Sequence, residues 1–298
     1  MYVYDSSAPT WVLQPSSRRR FDSPCWKGPS LEPIICFSSD FGVSDTWVGV
    51  CHAAIHRVCP AAMVVDLGHD TAPYDIRAGA VLAASGAHQL ADAIHLVVVD
   101  PGVGGLRRDI CIVARTGTRL VGPDNGVLMP AATRAGGVAM VYAIDSAAVG
   151  SGAPLPTFHA RDVLAPAAAA MACGAEPSSL GERIDPASLA PPPFPPARQE
   201  GEYVLGEVLA ADRFGSLRTS ISLEDLERFG LDSPELEFSI GHVALTLPLA
   251  STFADVGPGE LVALVDSSGW LTLAENKGSA EERLGLEPGA NVRVRATR

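Results

Sequence analysis

Apolar positions in the first part of the chain follow two alternating patterns. Continuous apolar runs at 33–37, 63–66 and 93–99 are typical of buried strands. Between them, at 43–58 and 75–88, apolar residues recur every three or four positions, as on one face of a helix. Because the links are short, this alternation predicts an α/β fold with a mostly parallel sheet that helices cover on both faces.

The α/β pattern continues to about residue 185. Its further predicted elements are strands near 110–114, 119–122 and 138–142, and helices at 124–134 and 161–173. A proline-rich connector at 186–196 forms the natural domain boundary. We therefore predict an N-terminal α/β domain over 33–185.

Beyond the connector the rhythm changes to short apolar runs separated by Gly, Pro and Asp turns. The predicted strands are 201–211, 236–247, 260–266, 270–275 and 291–296, with one helix at 223–229. This pattern predicts a smaller all-β domain, a barrel or sandwich, over 197–298. At the other end, residues 1–32 lack periodicity and are predicted to be a poorly ordered extension outside the core fold.

Composition narrows the class of protein. The chain has 298 residues, is 47% hydrophobic and carries a net charge of −12. No apolar run approaches a membrane span, and the acidic balance argues against a nucleic-acid partner. None of the six cysteines belongs to a C-x-x-C pair, and most lie in apolar runs. We therefore expect reduced core thiols in a cytoplasmic protein, with no metal site.

Three ionisable residues are candidates for chemistry. Asp70 follows the second predicted strand, Arg77 lies early in the next helix, and His159 precedes the helix at 161–173. Open α/β folds place ligands in such loops. A carboxylate and a guanidinium there could polarise a small nucleophile, but that stretch alone favours a surface ion pair. A lone His before a helix is more often a cap or packing residue than a catalyst.

Seven motifs follow one another along the chain. They are SSDFG at 38–42, HD at 69–70 with Arg77, VVVDPGVG at 97–104, GPDNGVL at 122–128, TFHARD at 157–162, DRFGS at 212–216 and NKGSA at 276–280. Together they resemble the S-adenosyl-L-methionine (SAM) hydroxide adenosyltransferases, relatives of the fluorinase and chlorinase enzymes. The resemblance covers about residues 33–298 and implies a hydrolase that splits SAM into adenosine and L-methionine, with SAM as substrate and no cofactor. The family's triad falls on Asp70, Arg77 and His159, which would polarise a water for in-line attack on the ribose C5′.

The resemblance also implies a set of substrate contacts. These are Asp40 on the ribose hydroxyls, Asp212, Phe214 and Ser216 around the methionine portion, Asn276, Ser279 and Ala280 near the adenine, and also Asp100 and Ser267. For Trp47 and Tyr74, a role in the wall of the substrate site and a role in core packing are equally supported. The family usually has Asn where Ser216 stands. Its halide-using members have Tyr and Thr where this chain has Asp100 and Val103, so fluoride or chloride chemistry is not expected.

The family resemblance implies a homotrimer whose sites lie between the N-terminal domain of one subunit and the C-terminal domain of its neighbour. Loops suited to ligands occur in both predicted domains, which is compatible with that assembly. Two other classes of function stay open. One is a module that binds SAM or adenosine without turnover. The other is a methyltransferase, which would need a glycine-rich first loop where this chain has SSDFG.

Overall fold

A computed structural model of the protein describes residues 33–150 and 154–297. From residue 33 onward they form one compact unit that contains a sheet covered by helices and a β-barrel. The predicted extension 1–32, with Cys25, lies outside the described residues. In the described part of the chain, no helix combines the length and the apolar character needed to cross a bilayer.

The N-terminal domain is a seven-stranded sheet. Its strands are β1 (Ile34–Ser39), β2 (Met63–Gly68), β3 (Ile94–Val98), β4 (Asp109–Ala114), β5 (Arg119–Pro123), β6 (Val138–Ile144) and β7 (Gly181–Arg183). They are ordered β2-β1-β3-β5-β4-β6-β7. β4 and β7 run antiparallel to their neighbours, and the other strands share one direction. The mostly parallel sheet predicted from the sequence is therefore confirmed.

Helices cover both faces of this sheet. They are α1 (Trp47–Val58), α2 (Ile76–Gln89), α3 (Met129–Arg134) and α4 (Ala165–Ala172), the last entered through a π-helical turn, Ala160–Leu164. α1 and α4 pack with Phe37 and Leu96 on one face. α2 and α3 pack with Val97 and Leu120 on the other. The alternation of neighbours such as Leu96 and Val97 explains why the strands are apolar throughout.

Some element boundaries differ from the predicted ones. β2 is an edge strand with Met63 47% exposed, so its apolar run is less buried than predicted. α1 begins at Trp47 because the preceding residues bend and are exposed. α3 begins only at Met129 because Asn125 holds the loop before it. Its side chain accepts from the Val127 N–H and donates to the Val99 carbonyl.

The C-terminal domain is a closed barrel of seven strands, which confirms the predicted all-β class. The strands are β9 (Tyr203–Ala211), β10 (Leu217–Ser222), β11 (Glu235–Ile240), β12 (Val243–Ala250), β13 (Leu261–Val265), β14 (Trp270–Glu275) and β15 (Asn291–Ala296). Pairing of β10 with β9 closes the ring, and β8 (Arg198–Glu200) pairs with β9 outside it. Closure satisfies the backbone groups that an open sheet leaves at its edges.

Two helices accompany the barrel, and one predicted strand was wrong. α5 (Leu223–Phe229) has the predicted bounds, whereas α6 (Ala280–Leu284) was not predicted. The predicted strand 236–247 is a hairpin, β11 and β12, because Gly241 has a φ of 55° and turns the chain. Positive φ is cheap for glycine, so this residue makes the reversal possible.

The barrel packs on the α2 face of the sheet. Leu209 and Trp270 are buried in the same cluster as the α2 and α3 side chains. The Arg134 guanidinium lies 4.1 Å from the centre of the Trp270 ring. On α2, the Gln89 side-chain amide donates to the Ser268 hydroxyl at 3.2 Å. The contact between the two domains within one chain is thus both apolar and polar.

The expectation that all six cysteines are reduced is wrong for one pair. Cys59 and Cys173 form a disulfide between the ends of α1 and α4, with their Cα atoms 5.6 Å apart. Their separation of 114 residues leaves no local sequence signal for the bond. The other described cysteines are free and buried. Burial raises the pKa of Cys36 to about 11 and the pKa values of Cys51 and Cys111 to about 12, so these thiols stay protonated.

Candidate active site

Three candidate carboxylates follow adjacent parallel strands at the same edge of the sheet. Asp40 follows β1, Asp70 follows β2 and Asp100 follows β3. β1 lies between β2 and β3, so the strand order changes direction at β1. Ligands of open α/β folds bind outside the carboxyl ends of the strands at such a switch point. The topology therefore gathers these loops where a site is expected.

His159 is connected to the same edge of the sheet by a series of contacts between charged side chains. Its Nδ1 lies 2.6 Å from the Asp109 carboxylate. Asp109 begins β4 and pairs with Pro123 at the carboxyl end of β5. Its other oxygen accepts from Arg107 at 2.6 Å, and Arg107 also binds both oxygens of Asp100, at 2.5 and 3.0 Å. The four side chains thus form one continuous polar network.

This network is largely shielded from solvent. The side chains of Asp100, Arg107 and Asp109 are 6%, 9% and 8% exposed, whereas the His159 imidazole is 19% exposed. A mostly buried guanidinium shared between two carboxylates has its charge compensated at close range. Asp100 was predicted to contact substrate, and Arg107 occupies both of its oxygens here. Its substrate role stays a prediction.

Arg77 points to the barrel rather than to Asp70. One guanidinium nitrogen lies 2.5 Å from the Glu207 carboxylate, and another donates to the Val208 carbonyl at 2.8 Å. Both partners are on β9. The guanidinium also lies 5.5 Å from the centre of the Phe194 ring. The surface ion pair between Asp70 and Arg77, which that stretch alone favoured, is therefore absent, and Arg77 joins the two domains.

Asp70 is exposed and makes no hydrogen bond or ion pair with any described residue. The preceding residue, His69, is instead buried, and polar atoms lie close to both of its ring nitrogens. Its Nδ1 lies 2.7 Å from the Ser39 hydroxyl, and its Nε2 lies 3.0 Å from Asp66. Although burial raises the pKa of Asp66, hydrogen bonds from His69 and His52 bring it below its ordinary value. His69 thus contacts its neighbours in the fold, whereas the adjacent Asp70 carboxylate is open to solvent at the sheet edge.

Asp40 holds the loop that follows β2. Its carboxylate accepts from the Tyr74 N–H at 2.8 Å. Tyr74 has a φ of 69°, a conformation that costs energy for a residue with a side chain. Its ring is 73% exposed, so Tyr74 is not a core residue. The loop is thus held in a strained conformation with an aromatic ring open to solvent.

Aromatic rings surround the start of α1 and the loop before His159. The Phe41 ring packs edge-on against Trp47 at 5.8 Å and against Phe158 at 6.0 Å between centroids. Trp47 is 46% exposed. Phe158 directly precedes His159 in the sequence, so this cluster lies beside the segment that carries the imidazole. The exposed half of Trp47 favours the wall role over core packing.

In the barrel, the loops 212–216 and 276–280 lie together. The Asp212 carboxylate accepts from the N–H groups of Phe214 and Ser216 at 2.8 and 2.9 Å. The Glu281 N–H donates to the Gly215 carbonyl at 2.9 Å. Gly215 has a φ of 77°, and a Cβ there would meet the Ser279 side chain. The two predicted substrate loops of this domain are therefore neighbours.

The side chains of these loops mainly support the loops themselves. Ser216 and Ala280 are buried, and Asn276 donates to the Val256 carbonyl at 2.7 Å. The Ser279 hydroxyl caps α6 by accepting from the Glu282 N–H. Phe214, by contrast, is 78% exposed. If these loops hold a ligand, they present backbone groups and one aromatic ring.

Ser267 lies apart from these loops, exposed in the turn between β13 and β14. More widely, within residues 33–150 and 154–297, no hydrogen bond or ion pair joins the sheet-edge loops at 40–42, 69–74 and 157–159 to the barrel loops at 212–216 and 276–280. These two groups of site loops thus have no direct polar link in the described chain, and Ser267 belongs to neither group.

Sequence reasoning missed three functional candidates: Arg107, Asp109 and Glu207. Each holds a residue that was predicted. Asp109 and Glu207 do so over sequence separations that no local pattern reveals, whereas Arg107 lies seven positions from Asp100. The side chains of Asp109 and His159 are 50 positions apart. The described residues include no group of three or more His, Cys, Asp or Glu placed to hold a metal ion.

Comparison with known proteins decides the family. The sequence profile of the SAM hydroxide adenosyltransferase N-terminal domain matches residues 35–181, and the profile of the C-terminal domain of that family matches residues 206–293. The chain belongs to the SAM hydroxide adenosyltransferase family. The two profiles correspond to the sheet domain and the barrel, and they confirm the resemblance carried by the seven motifs.

Relatives of this chain match over nearly their whole length. The (R)-S-adenosyl-L-methionine hydrolase of Salinispora tropica is 39% identical over 264 residues, which cover 89% of this chain and 98% of that protein. The hydrolase of the same name from Thermus thermophilus is 38% identical over 271 residues, 89% of this chain and 100% of that protein. A fluorinase from Actinopolyspora mzabensis is more distant, at 28% identity over 291 residues, 88% and 97% of the two chains.

A solved structure also shares the fold. The crystal structure of an uncharacterized conserved protein from Thermotoga maritima superposes with a TM-score of 0.78 at 31% sequence identity. The match covers 87% of this chain and 99% of that one. Sheet domain and barrel are therefore found together in other proteins.

Proposed function

We propose that this protein hydrolyses S-adenosyl-L-methionine to adenosine and L-methionine. The observation that carries the proposal is its match, at 38–39% identity, to named (R)-S-adenosyl-L-methionine hydrolases over at least 98% of their length. The site agrees with this chemistry, because Asp40, Asp70 and His159 all belong to loops at one edge of the sheet.

The reaction needs a positioned nucleophile more than an acid. The sulfur of SAM carries a positive charge, so methionine leaves as a neutral thioether and needs no proton. The enzyme must hold a water in line with the C5′–S bond, remove its proton and limit access of other water. Asp70, Arg77 and His159 are assigned to this task, and Asp40 to the ribose hydroxyls.

The same proposal includes a homotrimer with sites between subunits. The two groups of site loops have no direct hydrogen bond or ion pair in one described chain, and each has exposed aromatic residues, Trp47 and Tyr74 in the sheet domain and Phe214 in the barrel. A ring of subunits would bring unlike surfaces together, as heterologous contacts require. We propose that it pairs the sheet-edge loops of one subunit with the barrel loops of the next.

The test is turnover in H₂¹⁸O with each sulfonium epimer of SAM. We expect equimolar adenosine and methionine, with ¹⁸O in the adenosine 5′-hydroxyl, and faster reaction of the (R) epimer in line with the relatives' names. Asp70→Asn serves as the inactive control. Tight binding with no methionine release would favour the binding module. Release of S-adenosylhomocysteine would indicate methyl transfer and contradict hydrolysis.

A further inference from the structure

We infer that Asp109 is a positioning residue that fixes His159 as the base of the reaction. In this role Asp109 holds the imidazole in the tautomer whose Nε2 accepts the proton of the attacking water. The role rests on the proposed function, because it names the base of that reaction. Neither the seven motifs nor the predicted triad includes Asp109.

The contact itself determines the tautomer. His159 Nδ1 lies 2.6 Å from Asp109 Oδ2. An ionised carboxylate can only accept hydrogen bonds, so Nδ1 must carry the hydrogen. A neutral imidazole then has its lone pair on Nε2. Nε2 makes no hydrogen bond to any described residue, and the ring keeps 19% of its surface exposed.

Arg107 and Asp100 keep Asp109 in place. Arg107 donates to Asp109 Oδ1 at 2.6 Å, which leaves Oδ2 for the imidazole. The planar guanidinium fork binds the two carboxylates at fixed geometry, so the Asp109 carboxylate is held in one orientation. Asp100 binds the rest of the guanidinium fork and therefore fixes its orientation. Successive contacts thus connect the loop after β3 to the imidazole, through Asp100, Arg107, Asp109 and His159.

The proton and charge balance is simple in this arrangement. Nε2 takes one hydrogen of the bound water while the water oxygen forms a bond to C5′. The C5′–S bond breaks with its electron pair going to sulfur, which becomes neutral methionine. The adenosine 5′-hydroxyl keeps the second hydrogen, and the His159 imidazolium, stabilised by Asp109, later releases its proton to solvent.

Asp70 is the competing base, and its surroundings differ. It is exposed and without a described partner, so no group within the described chain orients its carboxylate. A base whose position is fixed by packing and hydrogen bonds transfers protons more efficiently than one that must be ordered in each cycle. The geometry therefore favours His159 as acceptor and leaves Asp70 to bind the water or the substrate.

The test combines kinetics with a measurement that needs no substrate. In Asp109→Asn we expect kcat for SAM to fall about 100-fold and KM to change less than about twofold, because general-base catalysis is worth about 100-fold or more and Asn no longer fixes the tautomer of the base. Asp109→Glu keeps an acceptor and should restore part of kcat. Glu237→Gln, which removes a carboxylate from the Arg295 pair on the barrel, is the matched control and should leave kcat unchanged.

Nitrogen NMR of the histidine rings reports the tautomer directly, with His159→Gln used for assignment. At a pH where the rings are neutral, the wild-type protein should show hydrogen on Nδ1 of His159, and Asp109→Asn should reduce or reverse that preference. A wild-type ring with hydrogen on Nε2, or wild-type kcat in a folded Asp109→Asn protein, would overturn the inference. Absence of SAM turnover in the wild type would instead overturn the proposed function, because the tautomer measurement stands without it.

Discussion

The sheet-edge loops and the barrel loops are built in different ways. At the sheet edge, charged side chains meet across long separations, as in Asp109 with His159, 50 positions apart. In the barrel loop, Asp212 binds the N–H groups of residues two and four positions ahead. The first region fixes reactive groups through other side chains. The second uses its side chains to shape the backbone.

This difference suggests a division of labour. Oriented ionisable groups are what proton transfer requires, whereas a shaped backbone with an exposed ring suits recognition of a neutral or zwitterionic group. Changes at the sheet edge should therefore lower kcat, and changes in the barrel loops should raise KM. Arg77 belongs to neither region alone, because its backbone is on α2 and its guanidinium binds Glu207 and Val208 on β9.

The largest expected effect tests whether the two regions meet between subunits. An Asp70→Ala chain should be inactive alone, and an Asp212→Ala chain should be inactive alone at SAM concentrations well below its raised KM. If they are unfolded together and reassembled in equal amounts, about a quarter of the sites pair two intact halves, as expected for random heterologous contacts. Activity assays and light scattering measure this. A fully active monomer, or no recovery in verified mixed trimers, would show that each site lies within one chain.

Arg77→Lys should have the next largest effect. One ammonium cannot bind Glu207 and the Val208 carbonyl with the geometry of the guanidinium fork. We expect kcat to fall at least about tenfold and the free energy of unfolding to fall by about 1–2 kcal/mol. Kinetics and urea unfolding measure the two effects. Arg57→Lys, exposed on α1, is the control. Loss of stability with normal kcat would make Arg77 a link between domains and remove it from the reaction.

Phe214→Ala should change binding more than chemistry. The ring is 78% exposed in the single chain, so its removal should not affect folding. If the ring covers substrate, its removal costs about 1–2 kcal/mol of apolar contact, so KM should rise about tenfold. The change in kcat should stay within about twofold. Phe253→Ala, at a ring 46% exposed elsewhere in the barrel, should leave KM unchanged. An unchanged KM for Phe214→Ala would remove this ring from the site.

The smallest expected effect is on the pH dependence of stability. Burial lowers the pKa of His95, on β3, and its Nδ1 is buried without a partner. As pH falls below about 6.5, the unfolded chain takes up a proton that the folded protein resists, so stability falls by up to about 1.4 kcal/mol per pH unit until the folded pKa is passed.

Urea unfolding from pH 7.5 to pH 5 measures this slope. His95→Phe should flatten it, although the loss of the hydrogen bond to the Leu90 carbonyl lowers stability at every pH. The matched control is His242→Phe, at the barrel's single histidine, exposed in the turn between β11 and β12. An equal slope in wild type and His95→Phe would show that His95 does not control acid stability.

Local signals explain how much of the fold could be predicted. The predicted bounds of α5 agree with the structure, in which local contacts define both ends: Ser222 and Asp225 form a capping box, and Gly230 ends the helix in the left-handed conformation. The hairpin between β11 and β12 was missed because apolar residues continue on both sides of Gly241, although glycine at the first position of a two-residue loop is a common hairpin signal. Element types were thus easier to predict than the turns inside apolar runs.

The candidate site could be predicted only in part. Loops that follow parallel strands can be located from the sequence, and the motifs pointed to Asp40, Asp70 and His159. The partners of these loops could not be predicted, since the contact of Arg77 with Val208 joins positions 131 apart. Such contacts depend on how the sheet and the barrel pack together.

The disulfide between Cys59 and Cys173 makes a covalent ring of the intervening chain. Asp70, Arg77, Asp109 and His159 all lie inside that ring, whereas Asp40 and the whole barrel lie outside it. A protease cut in an exposed loop of the ring, such as the one at Leu106, would leave both fragments attached until the bond is reduced. Insertions that lengthen the loops of this covalent ring should be tolerated, because each doubling of loop length costs only about 0.6 kcal/mol in closure entropy.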